Sequence, residues 1–210
     1  MHPHPSLPIE GLPPVAEGRR EYDAYYTPDR LAEVLVGELI ERSFLHPSQT
    51  ALDPHCGGGS FLRSLGHYLP PGNIQGTDID PTARGLSSSV LEPQVGLRRA
   101  FDFLKPWPAE WRRPHWIVGN PPYCAAELHV RQALQVARVG VAFLLRLGFL
   151  GSASRHEFWQ EMPARRIWVL SERPSFTSGA TDSQEYALFV WRRAPSRRSS
   201  PALLEVLSWR

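Results

Sequence analysis

The segment Asn120-Pro121-Pro122-Tyr123 has the most specific chemical content in this chain. Two consecutive prolines lack backbone N–H donors and fix φ, so the chain there must be a rigid extended turn whose carbonyls point outward. Rigid acceptors suit an amine: the Asn120 side-chain oxygen and the Pro121 carbonyl would hold the hydrogens of a planar amino group. Held in this way, the nitrogen favours a pyramidal form, and its freed lone pair can attack an electrophilic carbon in line. Tyr123 offers a face on which a flat acceptor would stack. Such a site works by positioning and electrostatics, without a covalent intermediate.

A second cluster is Asp53-Pro54-His55-Cys56-Gly57-Gly58-Gly59-Ser60-Phe61. Glycines such as Gly57 and Gly59 let a backbone turn tightly and approach a ligand closely. A glycine run alone is more often just a turn. Here it follows an acid, Asp53, and further acids, Asp78 and Asp102, stand where the next apolar runs end. In a doubly wound sheet the carboxyl ends of neighbouring strands line one crevice, and an acid after the second strand is where a ribose diol is held. The GxGxxG fingerprint is absent and Asp53 would repel a phosphate. The pattern therefore favours a cationic, methionine-like ligand over a dinucleotide.

Positioning these groups requires alternating strands and helices. Thr27 reads as an N-cap with Pro28 at the first helical position, and Leu31, Val34, Leu35 and Leu39 recur at helical spacing, predicting a helix to about Phe44. Short apolar runs at 50–52, 73–76 and 116–119 read as parallel strands. Helices are predicted after them at 60–68, 81–89 and 126–137, with Asp80 as the cap of the second. The run 139–147 reads as a strand buried on both faces. Residues 166–170 and 185–191 read as two further strands, one of them antiparallel, and residues 202–209 as a short helix or an edge strand. The whole is an α/β fold, a doubly wound and mostly parallel sheet with an antiparallel carboxyl-terminal strand.

At 210 residues the sequence fits one medium domain. We expect a flexible proline-rich arm at 1–20, a catalytic domain at 21–192, and an Arg/Ser/Pro-rich tail at 193–210 ending in a short element. The formal net charge of +2 says little about partners, although Lys105 is the single lysine and all other basic residues are arginine. Cys56 and Cys124 have no metal-ligand spacing, so neither a structural zinc nor a disulfide framework is expected. His55, His115 and His129 read as isolated structural or surface residues. No secretory leader or membrane-length apolar run stands in the sequence, and a soluble cytoplasmic protein with no membrane partner is expected.

The motifs and their order resemble the adenine-specific (N6) DNA methyltransferases, and among these the short phage-type members, with a gamma-like motif order. The resemblance covers most of residues 22–191. It implies a Rossmann-like class I methyltransferase fold, S-adenosyl-L-methionine as cofactor and DNA as the leading partner. By that resemblance Tyr26 and Thr27 belong to the turn that holds the methionine carboxylate, and Asp53 takes the methionine amino group. Pro54, Cys56, Gly57 and Gly59 form the main cofactor turn. Asp78 takes the ribose hydroxyls, Ile79 packs on the adenine, and Asp102, beside Phe103, accepts from the cofactor's own amino group. Asn120, Pro121, Pro122 and Tyr123 are the catalytic motif. Arg173-Pro174-Ser175-Phe176 and residues 186–191 are similar to the phage-type carboxyl-terminal signature, in which Phe176 is a second wall for the flipped base. His55 departs from the pattern, which has a small residue there. The stretch after the catalytic motif is too short for a large target-recognition domain. An adenine within a duplex must be extruded, or the substrate single-stranded, for its N6 to reach such a pocket. The same turn serves planar amino groups generally, which leaves RNA bases and a protein glutamine amide as alternative acceptors. A non-catalytic nucleic-acid-binding module is a further alternative, weakened by the intact Asn-Pro-Pro-Tyr.

Overall fold

A computed structural model describes residues 26–83, 85, 95–176, 183–193 and 202–209. In chain order these form α1 (Asp29–Glu41), β1 (Ala51–Asp53), α2 (Ser60–Gly66), β2 (Ile74–Thr77), β3 (Gly96–Arg98), β4 (Trp116–Gly119), α3 (Ala126–Val136), β5 (Gly140–Arg146), α4 (His156–Glu161), β6 (Arg166–Leu170), β7 (Tyr186–Arg192) and β8 (Leu203–Leu207). Among the described residues the strands make one sheet in the order β3-β2-β1-β4-β5-β7-β6-β8. Only β7 runs against its neighbours, inserted between β5 and β6 over a seven-pair register from Gly140↔Arg192 to Arg146↔Tyr186. This is the expected doubly wound, mostly parallel sheet with an antiparallel strand.

The central strands are apolar at successive positions because both sheet faces are covered. Ala51, Trp116, Val118, Ala142 and Leu144 pack with Leu31, Leu35 and Leu39 of α1 and Phe61, Leu62 and Leu65 of α2. Their alternates Leu52, Ile117, Val141, Phe143 and Leu145 pack with Val130, Ala133 and Val136 of α3 and Phe158 of α4. The result is three layers, with the carboxyl ends of β2, β1 and β4 side by side at one edge.

Several local expectations are corrected. Thr27 makes no capping bond; Pro28 occupies the cap position of α1, one residue earlier than its expected place inside the helix. The helix stops at Glu41, short of Phe44, because Ser43 takes a positive φ of 58° and turns the chain. Phe44 continues the apolar pattern from the turn, packing edge-on against Trp116 and Trp168. Helix α2 ends at Gly66, two residues before the expected end. The strand β3 was not foreseen. Asp102 therefore does not end a strand but lies four residues past β3, beyond Ala100 with its φ of 53°. Residues 203–207 are an edge strand parallel to β6. The helix expected over 81–89 falls largely outside the described residues, and the arm at 1–20 and residues 194–201 of the expected tail do so wholly; Pro81 and Thr82 themselves form a turn.

Gly140 marks the tightest point between the central strands. A Cβ there would stand 2.5 Å from the Trp191 carbonyl oxygen and 2.6 Å from the Trp116 ring. Neither a paired backbone nor a fully buried indole can give way cheaply. Gly140→Ala is expected to lower the unfolding free energy by about 2 kcal/mol, read as a lower urea midpoint by tryptophan fluorescence. An unchanged midpoint would mean that the strands separate freely.

Candidate active site

The glycine turn is held by contacts on every side. Gly57 and Gly59 have positive φ of 43° and 83°, which L side chains rarely adopt, and Gly59 opens α2. The Cys56 N–H donates to the Thr77 carbonyl (3.0 Å), and the Thr77 hydroxyl donates to the Pro54 carbonyl (3.1 Å), binding the turn to β2. Arg63 donates to the Gly58 carbonyl (2.8 Å) and pairs with Asp29 at the start of α1. The Ser60 hydroxyl donates to the Thr27 carbonyl (2.7 Å). Gly85 rests on the turn so closely that a Cβ there would meet the Cys56 carbonyl at 2.7 Å, and its N–H donates to the Gly57 carbonyl. Sequence reasoning missed Arg63, Ser60 and Gly85, whose partners lie far along the chain.

Three groups meet across the ends of β2, β1 and β4. Asp78 accepts from the Gly57 N–H (2.8 Å) and the Asp80 N–H (2.9 Å). Asp53, almost wholly buried, accepts from the His55 N–H (3.2 Å). Asn120 donates through Nδ2 to the Thr27 hydroxyl (3.2 Å). A cleft is lined by Tyr26, Thr27, Asp53, His55, Cys56, Gly57, Gly58, Ser60, Phe61 and Asn120. Tyr26, about half exposed, lies over Gly57 and Gly58. Asp80 accepts from the backbone and hydroxyl of Thr82, a turn role.

The remaining cofactor candidates lie beside Asp78. The Phe101 N–H donates to the Asp78 carbonyl (3.0 Å), which brings the 101–104 loop to this edge. Asp102 there accepts from the Leu104 N–H (2.9 Å), and Phe103 is buried. Ile79 is half-buried next to Asp78.

Burial dominates the electrostatics. It raises the Asp53 carboxyl to about 8, partly opposed by the His55 N–H and reinforced by Asp78. Asp78 is raised by the same cause, with its Gly57 hydrogen bond opposing. Burial also raises the Cys56 thiol, and Asp53 and Asp78 add to this, so Cys56 stays protonated and serves as packing rather than a nucleophile. A buried carboxyl this costly to ionise matches a ligand bearing an ammonium group, which would restore its charged form. The residue set is thus chemically suited to a ligand that carries an ammonium group and a diol.

His55 and His129, read from sequence as isolated, form a pair: Nε2 of one lies 2.9 Å from Nδ1 of the other. Burial lowers His129 to about 3 and, with His129 adding, lowers His55 well below its usual range. Both rings are neutral and pack around Phe103. His129 lies on the buried stripe of α3 with Ala126, Val130, Ala133 and Val136, a signal the spacing did contain.

On the acceptor side, Tyr123 opens a short 3₁₀ turn after Pro122, whose carbonyl accepts from the Ala125 N–H (3.3 Å). The Tyr123 ring lies 5.6 Å from that of Tyr186, and Phe176, buried, packs edge-on against Tyr186 at 5.0 Å. Phe176 thus braces Tyr186 and joins Tyr123 in one aromatic corner.

The buried acids set a pH dependence. Between 3.8 and about 8 unfolded Asp53 is ionised while folded Asp53 keeps its proton, so unfolding releases a proton and stability falls as pH rises. Asp78 acts in the same sense. His55 and His129, lowered on folding, act oppositely below 6.5, so the clean window is pH 6.5 to 8. Without ligand, the melting temperature is expected to fall across that window. Asp53→Asn is expected to flatten the fall and to melt about 3 °C or more higher at pH 8 by scanning fluorimetry. Equal slopes in both proteins would locate the titration elsewhere.

No family model matches the chain. Among curated proteins, the release factor glutamine methyltransferase of Moorella thermoacetica is 33% identical over 105 residues, 48% of this chain and 36% of that protein. The chain thus spans about a third of the relative's length. Among solved structures, a Listeria monocytogenes protein assigned to the class I S-adenosylmethionine-dependent methyltransferases superposes with a TM-score of 0.65 at 15% identity, covering 86% of this chain and 65% of that one. The methyltransferase subunit of a type I restriction-modification system from Streptococcus thermophilus gives 0.63 at 16%, covering 88% and 47%. A Pyrococcus horikoshii protein assigned as an RNA methyltransferase gives 0.65 at 12%, covering 81% and 87%. The fold of this chain is therefore the Rossmann-like fold of class I S-adenosylmethionine-dependent methyltransferases.

Proposed function

We propose that this chain is an S-adenosyl-L-methionine-dependent methyltransferase acting on an exocyclic amino nitrogen, with N6 of adenine in DNA as the leading acceptor. The observation that carries the reading is the rigid Asn120-Pro121-Pro122-Tyr123 turn leaving β4 beside buried Asp53, its Asn120 nitrogen turned onto Thr27. When bound, S-adenosylmethionine supplies a methyl group on a positively charged sulfur. Asp53 would pair with its ammonium and Asp78 with its ribose hydroxyls; Ile79 would pack on its adenine, and Asp102, beside Phe103, would accept from the adenine amino group. Tyr26 and Thr27 close the methionine end over the glycine turn.

Asn120 Oδ1 and the Pro121 carbonyl hold the hydrogens of the acceptor amine, so that its lone pair is directed inward. Tyr123 supports the acceptor ring, with Phe176 as the deeper wall behind Tyr186. Aromatic walls favour a flat heteroaromatic acceptor, which in a duplex must be flipped out.

A second reading, methylation of a glutamine amide, is favoured by the likeness to the Moorella release factor glutamine methyltransferase. Methyl transfer from labelled S-adenosylmethionine to unmethylated DNA, RNA and a glutamine-containing protein fraction separates these. N6-methyladenine in DNA, reduced at least about a hundredfold by Asn120→Ala as expected for loss of a key electrostatic contact, is the expected result. Label confined to protein glutamine or to RNA would transfer the assignment there. Absence of both label and cofactor binding would overturn the enzyme reading.

A further inference from the structure

We infer that Arg146 is a positioning residue of the acceptor site, holding the ring plane of Tyr123 through a cation–π contact. The inference rests on the methyltransferase reading, which gives Tyr123 its stacking role. Arg146 ends β5, the strand paired with β4, whose end leads into the Asn120 turn. Its guanidinium carbon lies 5.0 Å from the centroid of the Tyr123 ring. Its Nε donates to the Tyr186 hydroxyl at 3.4 Å, a long bond, and Tyr186 is the residue opposite Arg146 in the β5–β7 register. The Tyr186 ring in turn lies 5.6 Å from that of Tyr123, tilted by 50°.

Tyr123, in a short 3₁₀ turn and packed against the cores on both sheet faces, therefore also touches a cation and a second ring that both project from paired central strands. A guanidinium within about 6 Å of a ring face is attracted by the ring quadrupole, more strongly where water is thinned, as around half-buried Arg146. A stacking surface useful for catalysis must be held within about 10–20° of its productive orientation. The six preceding residues of β5 are buried and uncharged, so a guanidinium at its last position is placed where the strand emerges beside the acceptor turn.

The test compares Arg146→Met, which keeps an unbranched stem without charge, with Arg146→Lys, which keeps a cation. Cofactor dissociation constant and melting temperature control for folding; kcat and KM use the acceptor that wild type labels. For Arg146→Met the expected result is an unchanged cofactor constant and a kcat/KM about tenfold lower, about 1.4 kcal/mol, lost mostly in acceptor KM. Arg146→Lys is expected to recover to within about threefold of wild type, the cation–π contact being retained. Wild-type kinetics in Arg146→Met, or a lysine variant no better than methionine, would overturn the inference. If wild type labels no acceptor, the methyltransferase reading fails on its own. Ring-labelled tyrosine spectra, assigned with Tyr123→Phe, then still test the contact: Arg146→Met is expected to shift the Tyr123 ring resonances, and unshifted resonances would overturn it.

Discussion

Between the ends of β1 and β4 there is room for a carboxylate and nothing more. A Cβ at position 119 would stand 2.5 Å from Asp53 Oδ1, so the strand must end in glycine for the two chains to lie side by side with the acid between them. Because Asn120 follows that glycine directly, the same contact sets the separation between the buried acid and the rigid proline turn. Thr27 then joins both halves, its hydroxyl accepting from Asn120 and its carbonyl from Ser60. The two sides of the cleft are thus built around one van der Waals distance rather than around a flexible loop.

That arrangement costs stability, since two carboxyl groups are withdrawn from water near one another and both are pushed toward their neutral forms. The surrounding network offsets part of the cost without neutralising the acids. Arg63 bonds to the turn's carbonyl and to Asp29, not to Asp53 or Asp78. His55 and His129 fill the space behind the turn as a neutral, mutually bonded pair. Among the described residues no ion pair reaches Asp53 or Asp78, so on the proposed reading a cationic ligand would supply the missing charge, the usual compromise between a stable fold and a functional site.

The legible parts of the sequence were those where local pattern and tertiary environment agree. The run 116–119 coincides with β4 because a strand buried on both faces is apolar throughout, and 166–170 coincides with β6, apolar after Arg166. The acids Asp53 and Asp78 were legible because each closes such a run. β3 was not, being a three-residue, half-buried strand without alternation, and with it the reading of Asp102 as a strand-end acid was lost. Thr27 looked like a helix cap from its neighbours alone, whereas its hydroxyl bonds a residue 93 positions away. The His55–His129 contact spans 74 positions, so only the burial of His129 on the α3 stripe, not its partner, was legible.

The position of β7 also shapes how the molecule must assemble. Its register ends at Arg146 opposite Tyr186, so the longest pairing in the sheet closes the loop 147–185, about forty residues, and β6 can dock only once β7 is in place. Loop closure over that distance precedes the contacts that reward it, which makes non-local sheets slow to fold. Until then β5 presents a six-residue uncharged edge, 140–145, whose backbone groups on one side are unpaired, a template for pairing with another chain. Refolding yield should therefore depend on protein concentration more steeply than the stability of the finished sheet would suggest.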